Sequence, residues 1–346
     1  MVPNGSTYME GQTKMANDDD RVEPGNEVYD EDSVKKYKMT TDPNYKHQLL
    51  PKFAIALAIL HVGALYGLYL TVTFRLKLLT FIWGCIMGLA GAEGIVLGSH
   101  RGFSHNSFKL TTFGQVLVII LQTISGQYHI HWWVRDHRLH HKFVDTDADP
   151  YNARRGFFFS HVGWMMMKKH PLVLEKGATI DMSDIESNKL IMFQKKYFIP
   201  IFFLFNIILP VAVPVYFWNE NIWTSFFTVF VYRYVHTLNA TWCINSIAHM
   251  YGTKPFDMRI TANQSQFAHI VTFGDGWHNY HHIFPWDHAM DEFGFSTGFS
   301  TRVLRLLARM GVAYDLRKPS PELIYKHSQR HGDGTITPED CGIKTK

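Results

Sequence analysis

The chemistry in this chain is concentrated in its histidines, of which there are 20 among 346 residues. His137, His140 and His141 form one cluster, and His278, His281 and His282 form a second with the same spacing. Positions i, i+3 and i+4 share one face of a helix, so each cluster presents three imidazoles in one direction. His100 and His105 lie five apart and need a helix end or a turn to converge. Asn245 and His249 are a further i, i+4 pair. Even octahedral coordination takes about six ligands, so nine imidazoles imply two metal ions. Imidazole suits iron, zinc, copper or nickel. The clusters contain neither cysteine nor carboxylate, which disfavours structural zinc and the Glu-x-x-His type of carboxylate bundle. Asp136, Asp145, Asp147, Asp149 and Asp275 are close enough in sequence to orient ligand rings by hydrogen bonds. A lone histidine is more often a packed polar residue than a ligand, and His61, His129, His131 and His161 are read that way.

These clusters must be carried by something, and the apolar runs supply it. Residues 53–74 and 78–99 are apolar stretches separated only by Arg75-Leu76-Lys77, and 197–218 and 222–247 are separated only by Asn219-Glu220-Asn221. At about 1.5 Å per residue, each stretch crosses a hydrocarbon core of about 30 Å. The expected architecture is all-α and integral to the membrane, with four transmembrane helices in two hairpins. Pro210 and Pro214 should kink the third span, and Arg233 should face the bundle interior or reach toward an interface. Phe113–Gly126 is apolar but too short to span, and should lie against the membrane or in the cytosolic part. Residues 100–198 hold 13 Lys/Arg against 8 Asp/Glu, so the long segments and both termini are expected on the cytoplasmic side. Residues 1–46 lack apolar periodicity and are expected to be a disordered cytosolic tail without a cleavable signal. The functional domain is expected over 47–334, with cytosolic segments 100–196 and 248–334, and 335–346 as a C-terminal tail. Three cysteines far apart (Cys85, Cys243, Cys341) argue against a disulfide framework or a thiolate zinc site and suit a reducing compartment. Asp333-Gly334-Thr335 suggests part of a calcium loop, but Gln329 and His331 would fall where oxygen ligands belong, so it is rejected.

The three boxes, with Arg135-Asp136-His137-Arg138, Thr146-Asp147-Ala148-Asp149-Pro150, the run from Gly156 to Trp164 and Asn245-Ser246, resemble the membrane fatty acyl-CoA desaturases of the animal stearoyl-CoA desaturase type. The resemblance runs from about Leu60 to about Gly334. It implies a cytosolic helical cap holding two Fe2+ on His100, His105, His137, His140, His141, His249, His278, His281 and His282, with Asn245 reaching one iron through water. It also implies an acyl-CoA substrate, O2, cytochrome b5 and its reductase as separate electron donors, and residence in the endoplasmic reticulum membrane. Arg135, Asp136, Lys168 and Lys169 match positions that meet the CoA moiety, and Gln127, Trp133, Thr241 and Trp242 match positions that shape the bend of the acyl tunnel. The expected reaction is insertion of a cis double bond, at delta-9 by default, with no side chain acting catalytically beyond the metal centre.

The chain also departs from the family pattern. The first box reads Leu97-Gly98-Ser99-His100-Arg101-Gly102-Phe103-Ser104-His105, and Gly88 stands where many members place a tyrosine near the closed tunnel end, with Ala92 one turn on. A deeper or altered tunnel end and a shifted chain-length preference are expected. Glu93 is costly in lipid and should face protein or a cavity. Competing readings are a membrane hydroxylase, acetylenase or sphingolipid desaturase with the same histidine logic, a catalytically silent relative, and a histidine-rich metal transporter. Transporters hold ions near the bilayer midplane, whereas these clusters flank the spans. Nothing in the pattern points to nucleic acid.

Overall fold

The computed structural model describes residues 40–290 and 298–344; most of the expected tail, 1–39, lies outside the described residues. In chain order the main helices are α1 (Pro51–Val72), α2 (Leu78–Ser104), α3 (Thr112–Ser125), α4 (Ile130–Phe143), α5 (Phe198–Trp218), α6 (222–250), α7 (Gln266–Val271), α8 (His278–Ile283), α9 (Phe299–Arg309) and α10 (Pro321–His331). One two-stranded antiparallel sheet pairs Lys109–Leu110 with Ala313–Tyr314. Among the described residues, α1, α2 and α5 are long and apolar enough to cross a membrane. Helix α6 is as long, but Arg233, His236 and Asn239 interrupt its apolar run. Helix α3 is amphipathic and, as its length requires, short.

Local chemistry explains the element boundaries. Pro51 opens α1, where its missing N–H costs nothing and its fixed φ suits the first turn. Thr111 caps α3 by accepting from Gly114 N, and Gly126 ends it at φ +72°, a conformation that disfavours a side chain. In α5, Pro210 brings no N–H for the carbonyl four residues back, that of Asn206, and Arg233 Nη2 donates to it at 3.0 Å. Pro214 likewise leaves the Pro210 carbonyl, which accepts from Trp83 Nε1 at 3.0 Å. Arg233 therefore faces the bundle interior, donating also to the Val229 and Ile124 carbonyls at 2.7 Å.

The helices meet closely enough to fix the site. At Gly94 an added Cβ would sit 2.1 Å from Gln122 N, so only glycine allows α2 to lie directly against α3. The two hairpin turns are tied together by Glu220, whose carboxylate accepts from Lys77 N at 2.8 Å and Thr80 Oγ1 at 2.6 Å. Glu93 is buried against protein, taking a hydrogen bond from Ser300 Oγ at 2.7 Å. Residues 40–46 are held to the segment after α4: Thr41 Oγ1 donates to the Asp145 carbonyl at 3.0 Å, and Asp42 N donates to Asp147 at 2.9 Å. Beyond α10, Ile336 is buried in a cluster with Phe256, Tyr280 and Phe284. The calcium-like run is instead a turn in which Thr335 donates to Asp333 Oδ1.

Candidate metal centre

The nine histidines converge as two groups. His100, His105, His137, His141 and His281 form one, and His140, His249, His278 and His282 form the other, with the ligating atoms of each group within 4.8 Å of one another. All but His105 are buried. Helix α4 splits its three rings between the groups, and α8 does the same, so the two groups share walls. Helix α2 adopts wide π-type turns over Gly94–Ser104. In such turns residues five apart are separated by about 50° rather than the roughly 140° of an α-helix, which brings His100 and His105 to the same side.

Outer hydrogen bonds set which ring nitrogen is free. His100 Nδ1 pairs with Asp275 at 2.8 Å, His140 Nδ1 with Asp149 at 2.9 Å, and His249 Nδ1 with Thr261 Oγ1 at 2.9 Å. Each acceptor draws the proton onto Nδ1 and leaves an Nε2 lone pair facing inward. Burial pushes the nearby Asp145 carboxyl up, with the Thr261 hydroxyl opposing it. Burial alone would push the Asp275 carboxyl up, but His100 and the Arg101 guanidinium, 2.8 Å away, hold it well below the usual carboxylate range. Of the carboxylates expected to orient rings, Asp149 and Asp275 do so directly. Asp136 instead binds Arg135 at 2.7 Å and also Lys169, while Asp147 binds Arg155.

The inward nitrogens fit a metal better than they fit one another. Nε2 atoms face each other at 3.0 Å (His100 and His281), 2.8 Å (His105 and His137), 2.9 Å (His141 and His281), 2.9 Å (His249 and His278) and 3.0 Å (His278 and His282). A single proton on His281 cannot satisfy both His100 and His141. Burial, reinforced by neighbouring imidazoles, holds the His137, His141, His278, His281 and His282 rings well below the ordinary histidine value, so they are neutral. With metal–nitrogen bonds of about 2.1 Å, adjacent octahedral ligands lie about 3.0 Å apart and tetrahedral ones about 3.4 Å apart. The observed spacing matches the octahedral edge.

A cavity of about 840 Å³ passes this centre. His100, His137, His140 and His278 line it, as does Asn245, one turn before His249 on α6. Lys168, Lys169 and Asp136 stand together on its wall, with Arg135 behind Asp136 rather than on the wall itself. Gln127, Trp133, Thr241 and Trp242 also line it, and Gln127 Nε2 donates to Thr241 Oγ1 at 2.8 Å. Gly88 and Ala92 lie along the wall, which continues past them to Gly84, Cys85, Phe81 and Thr80. Thr261 was not legible in the sequence, because no spacing relates it to any histidine box.

The fatty acid desaturase family model matches residues 75–291. The chain belongs to this family. It is 46% identical over 291 residues to (11Z)-hexadec-11-enoyl-CoA conjugase of Bombyx mori, covering 84% of this chain and 88% of that one. With human stearoyl-CoA desaturase it shares 40% identity over 334 residues, 96% of this chain and 91% of that one. Acyl-CoA Delta-9 desaturase of Acheta domesticus is 43% identical over 292 residues, 84% and 81% of the two chains.

Proposed function

We propose that this desaturase acts on a long-chain fatty acyl-CoA, converting R–CH2–CH2–R′ with O2, two electrons and two protons into a cis R–CH=CH–R′ and two waters. The observation that carries the reading is the pair of histidine groups on the wall of one largely apolar cavity. A methylene has no acidic proton, so side-chain acid–base chemistry cannot remove its hydrogen and a metal oxidant is required. The five-histidine and four-histidine groups would each hold one ferrous ion, with Asn245 reaching the second through water, and the bound pair would supply that oxidant from O2. The chain's own residues do the rest. Asp149, Asp275 and Thr261 hold ligand rings in one tautomer. Lys168 and Lys169, with Arg135 behind Asp136, lie where the anionic CoA head enters, and charge-assisted pairs suit its phosphates. The Gln127–Thr241 hydrogen bond, with Trp133 and Trp242, shapes the wall beside the metal groups, which sets which methylene pair is presented.

In this reading α1, α2, α5 and α6 are four spans in two hairpins, α3, α4 and α7–α10 build the cytosolic cap, and both termini are cytoplasmic. The enzyme sits in the endoplasmic reticulum membrane and receives electrons from cytochrome b5 and its reductase. Delta-9 is the proposed bond position, as in the name of the Acheta domesticus relative. The Bombyx mori conjugase gives a second reading, in which the substrate already carries a double bond. Expression in a desaturase-deficient yeast, with mass-spectrometric location of double bonds, tests both. New monoenes support the first reading, conjugated dienes made only from added monoenes support the second, and hydroxylated products would refute each.

A further inference from the structure

Helix α9 carries three stripes. Ser300, Thr301 and Leu304 face the core, and Leu304 packs with Leu97 of α2 and Val118 of α3. Arg302, Arg305 and Arg309, spaced three and four apart, form a second, exposed stripe. Between these lies a third stripe that is apolar yet uncovered: Phe299 is 43% exposed, Leu306 55% and Met310 64%. Several contacts fix the height of this helix, among them a hydrogen bond from Arg101 Nη1 of α2 to Thr301 Oγ1 at 3.0 Å. Ser300 donates to Glu93 on α2 at 2.7 Å, so α9 begins at a level inside the long apolar run of α2. The Phe299 ring also lies 6.4 Å from that of Phe273, just beyond α7, where Phe267 and Ile270 are exposed as well. The apolar stripe of α9 therefore continues a collar of uncovered apolar side chains.

We propose that α9 is an anionic-phospholipid-binding helix, seating Phe299, Leu306 and Met310 among acyl chains while Arg302, Arg305 and Arg309 take the lipid phosphates. The inference rests on α2 crossing a bilayer. A helix with an apolar face and a flanking basic stripe lies in the interface plane, and its affinity combines buried apolar area with attraction to anionic headgroups. Arginine suits phosphate because its planar fork donates two parallel hydrogen bonds. An acidic protein would complement the arginines equally well, but not the exposed Phe299, Leu306 and Met310 at the level of α2. That pairing favours a lipid surface.

The test uses the full chain in nanodiscs of phosphatidylcholine, with or without 30% phosphatidylserine, reading hydrogen exchange over 299–310 and the lipids retained in native mass spectrometry. Each arginine that reaches a headgroup should favour phosphatidylserine about fivefold before salt screening. Wild type should therefore retain phosphatidylserine severalfold over phosphatidylcholine and protect α9 more in the anionic discs, with both effects lost in 1 M salt. The variant R302Q/R305Q/R309Q should lose the preference, while R302K/R305K/R309K should keep most of it. An unchanged preference in the glutamine variant, or none in wild type, would overturn the proposal. So would a glutamine variant that loses binding to an acidic electron-donor protein while keeping the lipid preference. Release of wild type from membranes by alkaline carbonate would instead sink the reading of α2 as a span.

Discussion

The cavity beyond the metal groups makes a quantitative claim about substrate length, and Gly88→Tyr tests it. Gly88 precedes His100 by twelve residues, partly in wide turns, so the two are separated by about 17 Å along α2. A Cβ at Gly88 meets nothing nearer than Arg233 Cγ at 3.7 Å, so a larger side chain can project into the cavity without breaking the backbone. A tyrosine reaching about 6.5 Å back toward the metal leaves roughly 10 Å, or about eight methylenes at about 1.25 Å each. In the native chain the wall runs on to Thr80, about 28 Å from His100, which is room for about 22 methylenes. Each methylene kept out of the apolar cavity forfeits about 0.8 kcal/mol. Relative to a C18 chain, a C22 chain in the tyrosine variant should lose about 3 kcal/mol, on the order of 200-fold in relative kcat/KM. The assay is competition between C18 and C22 acyl-CoA, with products quantified by gas chromatography and mass spectrometry. Wild type should use both, and the variant should use C18 alone. An unchanged product ratio would refute the claim that the tail passes Gly88.

Three other outcomes follow from the geometry. Asp149→Asn removes the carboxylate that orients His140, and should weaken metal binding at the four-histidine group by about 10- to 100-fold, read by metal retention against a chelator. Arg233→Leu leaves the Ile124 and Asn206 carbonyls without their donor inside the bundle. At about 1–3 kcal/mol for each unsatisfied group, it should lower the thermal midpoint in detergent well beyond the effect of Arg75→Leu at the exposed turn. The buried rings His137, His141, His278, His281 and His282 have pKa values held down in the folded chain, whereas unfolded histidine titrates near about 6.5. Below that pH the unfolded chain binds more protons than the folded one, so metal-free stability should be full above about pH 6.5 and fall as pH drops through it. Urea midpoints between pH 8 and pH 5 check this, and a midpoint that rises toward pH 5 would contradict the sign.

The site was more legible in the sequence than the structure that positions it. The i, i+3, i+4 spacing in α4 and α8 is a local property, and it placed six of the rings. His100 and His105 needed the π-type turns of α2, which leave no periodic trace in the sequence. Because a charge facing lipid is costly, Glu93 could be assigned to protein or a cavity, and Arg233 to the bundle interior or an interface. Their partners Asn206 and Ser300 are distant in sequence and could not be named. Thr261, which orients His249, was invisible for the same reason. Five aspartates near the boxes were equally plausible ring acceptors by proximity. Only the fold separates Asp149 and Asp275, which face histidines, from Asp136 and Asp147, which face Arg135, Lys169 and Arg155. The length of the cavity past Gly88 likewise depends on how α2 and α6 pack, not on any residue type.

The most direct test of the central claim is the iron content of the purified full chain, measured alongside its desaturation activity. About two irons per active chain are expected, in line with two groups of donors that each exceed half an octahedral shell. His281→Ala and His140→Ala should each lose iron and double-bond formation together. Full activity in a chain containing no iron, or in either alanine variant, would contradict that claim.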